Sequence, residues 1–180
     1  MVSFTLPALA TLALAALANG APTTQTESVE IFSFAKWVDG IIANPDGDNL
    51  TPEEAVEAWQ ASLNETSAVA ESGLLQKRVI CNTEPNTEAY VPDAVTCIND
   101  LARKGGQACE VSGSSNFCTV GRARIIGVAG GGVTYTSSSC NDVARGAGLV
   151  MDSCTRADNT VQGAEKAWGN GNLLVWIRRP

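Results

Sequence analysis

The chain has 180 residues, 19 of them acidic and 12 basic, a formal charge of −7 and no histidine. The missing histidine excludes Ser-His-Asp and Cys-His nucleophile pairs and histidine-based ribonuclease chemistry. The zero net charge of residues 79–180 and the scarcity of lysine argue against a nucleic-acid partner.

Leu6 to Ala18 is an apolar run broken only by Pro7 and Thr11, with small residues at Ala18 and Gly20. That length suits the apolar core of a secretory signal peptide, here residues 1–20. It is too short to span a membrane, which takes roughly 20 apolar residues. No later stretch comes close, so stable membrane insertion is not expected and the expected location is extracellular.

Residues 21–78 carry 10 acidic and 3 basic side chains, a net of 3 − 10 = −7, whereas residues 79–180 carry 9 of each. The boundary is Lys77-Arg78, the one Lys-Arg pair, where a kexin-type protease of the secretory pathway would cut. Residues 21–78 are thus expected to be an acidic pro-segment, and residues 79–180 the mature domain. Both N-glycosylation sequons, at Asn49 and Asn64, fall in the pro-segment. So do two helical patterns. Ile31, Phe34, Trp37, Val38 and Ile41 recur at three- and four-residue spacing and form one apolar face. Thr51-Pro52-Glu53-Glu54 is a capping box that opens a second helix, continued by Val56, Trp59 and Leu63. Short helices of this kind need an apolar partner. The mature domain is the natural one, which makes the segment a folding aid or an inhibitor.

All six cysteines, at 81, 97, 109, 118, 140 and 154, lie in the mature domain. An even number crowded into a small region of an exported chain reads as a disulfide framework. Their spacing lacks the close ligand pairs of a zinc site, and no metal or other cofactor is expected.

Pro92 and Asp93 open a helix with Ala94, Ile98, Leu101 and Ala102 on its buried stripe, ended by Gly105-Gly106. A hairpin about Gly113-Ser114 would set Cys109 opposite Cys118, within disulfide reach, and Cys109–Cys118 is the favoured pair. A strand from Arg122 to Val128, a glycine turn and a short strand from Val133 to Thr136 follow. Ser139 then caps a second helix, with Cys140, Val143, Ala147, Val150 and Cys154 on one face. Its two cysteines lie too far apart to bond to each other and would take Cys81 and Cys97 if the hairpin bond forms.

Asn170-Gly171 signals a type I′ turn. It would pair Trp168 with Leu173 and Lys166 with Val175, and would let Glu165 meet Arg178 diagonally. Trp168, Leu173, Val175 and Ile177 are then the core face. Leu174 and Trp176 lie on the outer face near Arg178. With Arg122 and Arg124, which share a strand face, these residues are the candidate partner surface, since tryptophan beside arginine is a common hot-spot composition. The predicted fold is α+β: a small disulfide-stapled sandwich of an antiparallel sheet and two helices, preceded by the helical pro-segment.

The short opening strand with Cys81, the Val-Pro-Asp-Ala-Val-Thr-Cys97 helix, Ser139-Cys140-Asn-Asp142-Val143, Val161-Gln-Gly163 and the closing Leu174-Val-Trp-Ile177 together resemble a known family. They are similar to the fungal necrosis-inducing effectors homologous to extracellular protein 2. More distantly they resemble smut-virus killer toxins of the killer-protein-4 type. The cysteine count differs from that of either group. The resemblance implies a fold, a fungal source and a toxin or effector role, and supplies no active site.

The leading expectation is therefore a secreted effector or killer-toxin-like protein that binds a protein, glycan or membrane component of a target cell. Catalysis is not expected. A carbohydrate- or wall-binding module is the alternative, and a small carboxylate-dependent hydrolase the third.

Overall fold

The computed structural model describes residues 31–65, 79–81 and 84–180. The expectations for residues 1–20, for Lys77-Arg78 and for the Asn64 side chain lie outside the described residues.

Two helices open the described chain. In α1 (Phe34–Ala43) the Ser33 hydroxyl accepts the Lys36 N–H and caps the first turn. In α2 (Pro52–Glu65) the capping box closes reciprocally. Thr51 N–H donates to Glu54 Oε2 at 2.8 Å, and Glu54 N–H donates to Thr51 Oγ1 at 3.3 Å. Trp37 Nε1 donates to Leu50 O and ties α1 to the start of α2.

The short strands β1 (Ile80–Cys81) and β2 (Ala89–Tyr90) lead into α3 (Val91–Arg103). Then come β3 (Ala108–Ser112), β4 (Ser114–Val120), β5 (Ala123–Ala129) and β6 (Tyr135–Ser139). Helix α4 (Cys140–Cys154) precedes β7 (Thr160–Val161), β8 (Gly163–Ala167) and β9 (Asn170–Arg178). The main sheet runs β1-β8-β9-β5-β4, all antiparallel, and two-stranded pieces are made by β2–β7 and β3–β6. Strand β9 is central because both its faces are apolar. Leu173, Val175 and Ile177 are fully buried against the helices, and Leu174 and Trp176 are half-buried on the other side.

Helices α3 and α4 cover the inner face with Val91, Val95, Ile98, Leu101, Val143, Val150 and Met151. Phe34, Trp37, Val38, Ile41, Val56 and Trp59 of α1 and α2 join the same core. The order of layers is therefore sheet, α3–α4, α1–α2. Burying a large apolar side chain contributes roughly 1.5–3 kcal/mol, so these six side chains hold α1 and α2 firmly.

Three disulfides staple the domain: Cys81–Cys154, Cys97–Cys118 and Cys109–Cys140. The expected Cys109–Cys118 bond is corrected. Strands β3 and β4 do not form a hairpin. At Gly113, with φ +70°, the chain turns a corner from one sheet into the other. Strand β3 pairs with β6, which sets Cys109 opposite Ser138 and beside Cys140. Strand β4 pairs with β5, and Cys118 faces α3 and Cys97.

From Gly163 to Lys166 the closing hairpin is shifted by one residue from its expected register, and an irregularity follows between Lys166 and Ala167. Ala167 pairs with Asn170, so the turn is Trp168-Gly169 with Gly169 at φ +72°, not Asn170-Gly171. A one-residue slip exchanges faces. Trp168 is therefore 60% exposed at the turn and not in the core, whereas Glu165 and Ala167 face inward. Arg178 pairs with Glu84 at 2.7 Å instead of Glu165.

Candidate binding surfaces

The outer side of β5 and β9 gathers most of the surface expected from sequence. Arg124 lies directly opposite Arg178, Ile126 opposite Trp176, and Val128 opposite Leu174. The Arg178 guanidinium sits 4.7 Å from the centre of the Trp176 ring, a cation–π distance. Arg122 is not on this face. It occupies the β4–β5 turn, where its N–H donates to Asp93 Oδ2, and its guanidinium lies 4.0 Å from the centre of the Tyr90 ring. There it joins Glu88, Tyr90, Thr160 and Arg179 around a shallow cleft of about 210 Å³. The strand begins one residue later than expected, and the turn carries Arg122 away.

The electrostatics of the outer face are unbalanced. Like charges directly opposed across two strands are destabilising. Arg178 has Glu84 as partner through one terminal nitrogen. Yet Arg124 Nε, Arg178 Nε and Trp176 Nε1 are all withdrawn from solvent without a hydrogen-bond partner. Such donors cost roughly 1–3 kcal/mol each until an acceptor meets them.

A second surface lies on α4 and was not foreseen. Arg145 bridges Asp39 of α1 at 2.8 Å and Asp142 at 3.0 Å, which raises its already high pKa. With Ala35, Leu149 and Trp168, Asp39 and Arg145 line a cavity of about 420 Å³. Asp152 sits at the other end of α4 and accepts hydrogen bonds from the start of α1. Its pKa is raised, with burial the largest cause, opposed by hydrogen bonds from Ser33, Ala35 and Phe34 and by the charge of Lys36. The sequence signal for this surface was the pair of glycines, Gly146 and Gly148, inside an otherwise ordinary helix.

Neither surface gathers acidic residues for a metal: among the described residues no three His, Cys, Asp or Glu side chains are placed to hold one. Nor is any described helix long and apolar enough to cross a membrane. Asn49 Nδ2, the atom a glycan would join, donates to Asn44 O at 2.7 Å.

The fold and these surfaces define a cysteine-stapled α+β domain with an N-terminal helical pair docked on its helices. Residues 76–179 match the family model described as a domain of unknown function, DUF8794, and the chain belongs to that family. Comparisons with curated proteins and with solved structures gave no match.

Proposed function

We propose that this is a secreted fungal effector or killer-toxin-like protein that acts on host or competitor cells by binding, without catalysis. The carrying observation is the outer face of β5–β9. Arg124 is opposed by Arg178 beside a half-buried Trp176, and all three carry a shielded donor without a partner. The opposed like charges of Arg124 and Arg178 burden the isolated fold, and an acidic group on a target would relieve them. Tryptophan and arginine are also the residues that most often dominate binding energy. Three disulfides suit an oxidising extracellular setting. The family match begins at residue 76, beside Lys77-Arg78, which agrees with a precursor cut there by a kexin-type protease.

The test applies the protein secreted by a processing host to plant tissue and to competing fungi, alongside Trp176→Ala and Arg124→Ala. Cell death or growth arrest that both variants weaken supports the reading. Inactivity in both settings, with retention on chitin or glucan, would favour the wall-binding module, for which exposed Tyr135 and Trp168 are the contact candidates.

A further inference from the structure

Helix α4 is thinned on two opposite sides by glycine. A Cβ at Gly146 would lie 2.8 Å from Lys166 O of β8. A Cβ at Gly148 would lie 3.0 Å from Ala35 Cα and 3.3 Å from Ala35 N. The sheet and α1 therefore each rest on bare α4 backbone. Asp152 takes the end of α1. Its Oδ1 accepts the Phe34 N–H at 2.6 Å, and its Oδ2 accepts the Ala35 N–H at 3.1 Å and the Ser33 hydroxyl at 2.7 Å. The first turn of any helix leaves N–H groups unpaired and favours a negative charge. Here a carboxylate from another element supplies both needs. With Phe34 at Asp152 and Asp39 at Arg145, α1 runs antiparallel to α4.

Polar contacts continue along the pair. Arg103 donates to Pro45 O at 2.7 Å in the α1–α2 connection. Gln60 of α2 donates to Asn159 at 3.0 Å. One of these contacts is an ion pair, Asp39 of α1 with Arg145 of α4 at 2.8 Å.

We propose that the α3–α4 face of residues 79–180 is a helix-binding site whose built-in occupant is the α1–α2 pair, and that this occupant stays bound after the chain is cut between Arg78 and Val79. The inference extends the precursor reading above. Cutting then yields a masked two-piece complex, and the face opens only when the helical pair is displaced. Once it leaves, the cavity edged by Arg145, Leu149 and Trp168 merges with the bared backbone at Gly148.

The test starts from purified full chain, nicked in vitro by a kexin-type protease, with intact mass verifying the cut after Arg78. Native mass spectrometry and gel filtration then read whether the pieces travel together. A one-to-one complex at about 1 µM is expected, and separation at that concentration overturns the proposal. Whether cells make the same cut is read separately, from the N-terminus of the secreted protein, so failure of the precursor reading is distinguishable. Leucine is a good helix former, so Gly148→Leu leaves α4 intact but cannot fit beneath Ala35. It should speed release of the pair about tenfold or more, and unchanged retention overturns the proposal. Should that variant fold poorly, Phe34→Ala with Trp37→Ala leaves residues 79–180 unaltered. Retention equal to that of the unaltered chain would again overturn it.

Discussion

The Asp152 carboxylate accepts the Phe34 N–H at 2.6 Å, across 118 positions of sequence. Burial raises its pKa above the ordinary value, against the opposing hydrogen bonds from Ser33, Ala35 and Phe34 and the charge of Lys36. The folded chain therefore binds this proton more tightly than the unfolded chain, so the stability it contributes is complete below the unperturbed value of about 3.9 and is lost as pH rises through the raised value. Asp152→Asn should remove this group's share of the change in stability between pH 4 and pH 7, as read from denaturation midpoints. An unchanged pH profile in Asp152→Asn would contradict this account.

The disulfides differ in the loops they close. Cys81–Cys154 spans 73 positions, Cys109–Cys140 spans 31 and Cys97–Cys118 spans 21. In the chain-entropy view these correspond to roughly 4.4, 3.7 and 3.4 kcal/mol. Replacing Cys81 and Cys154 together by serine should lower the denaturation midpoint most, and Cys97 with Cys118 least. A non-reduced digest should recover the three pairs directly. A peptide joining Cys109 to Cys118 would refute the topology at Gly113.

Much of the fold was legible in local chemistry. Ser139, Thr51 with Glu54, and the alternation along Leu173 to Ile177 each specify structure within a few residues, and each element formed as expected. What failed depended on partners distant in sequence. Gly113 reads as the first residue of a hairpin turn, and nothing nearby reveals that β3 pairs with β6 across the glycine turn. Asn170-Gly171 is a strong turn signal, yet Trp168-Gly169 makes the turn and sends Trp168 outward. The Arg124, Leu174, Trp176 and Arg178 group was legible because it needs only the period-2 pattern. The Asp152–Phe34 contact was not, since a lone aspartate near a helix end carries no mark of its partner.

The two tryptophans of the last hairpin should respond differently. Trp168 is 60% exposed at a turn, and its ring contributes little to the core. Trp168→Ala should change the melting temperature little. Trp176 is half-buried against Arg178, so Trp176→Ala should cost more, though less than Leu173→Ala at a fully buried position. That core truncation should cost about 2–5 kcal/mol. Thermal denaturation of the three variants checks the ranking, and equal loss for both tryptophans would place Trp176 outside the sheet packing described.

Strand β4 carries a bulge at Phe117, between the Asn116–Ile126 and Cys118–Ile125 pairs. The extra residue puts Phe117 and Cys118 both toward the inner side, so one contacts the core while the other bonds Cys97 on α3. Room for the Phe117 ring comes from Gly127 of β5. A Cβ there would lie 2.5 Å from Phe117 Cε2 and Cζ and 2.6 Å from Val111 Cγ2. The backbone at Gly127 is not in the left-handed region, so the need for glycine is one of space. Overpacking of this kind typically costs about 1–3 kcal/mol. Gly127→Ala should destabilise the domain by that amount. Phe117→Leu should lose some packing alone but should recover part of the loss when combined with Gly127→Ala, because the shorter side chain clears the added methyl. A double-mutant cycle measures the coupling, expected at about 0.5 kcal/mol or more. Strict additivity of the two changes would mean that Phe117 does not lie over Gly127 and that the bulge points elsewhere.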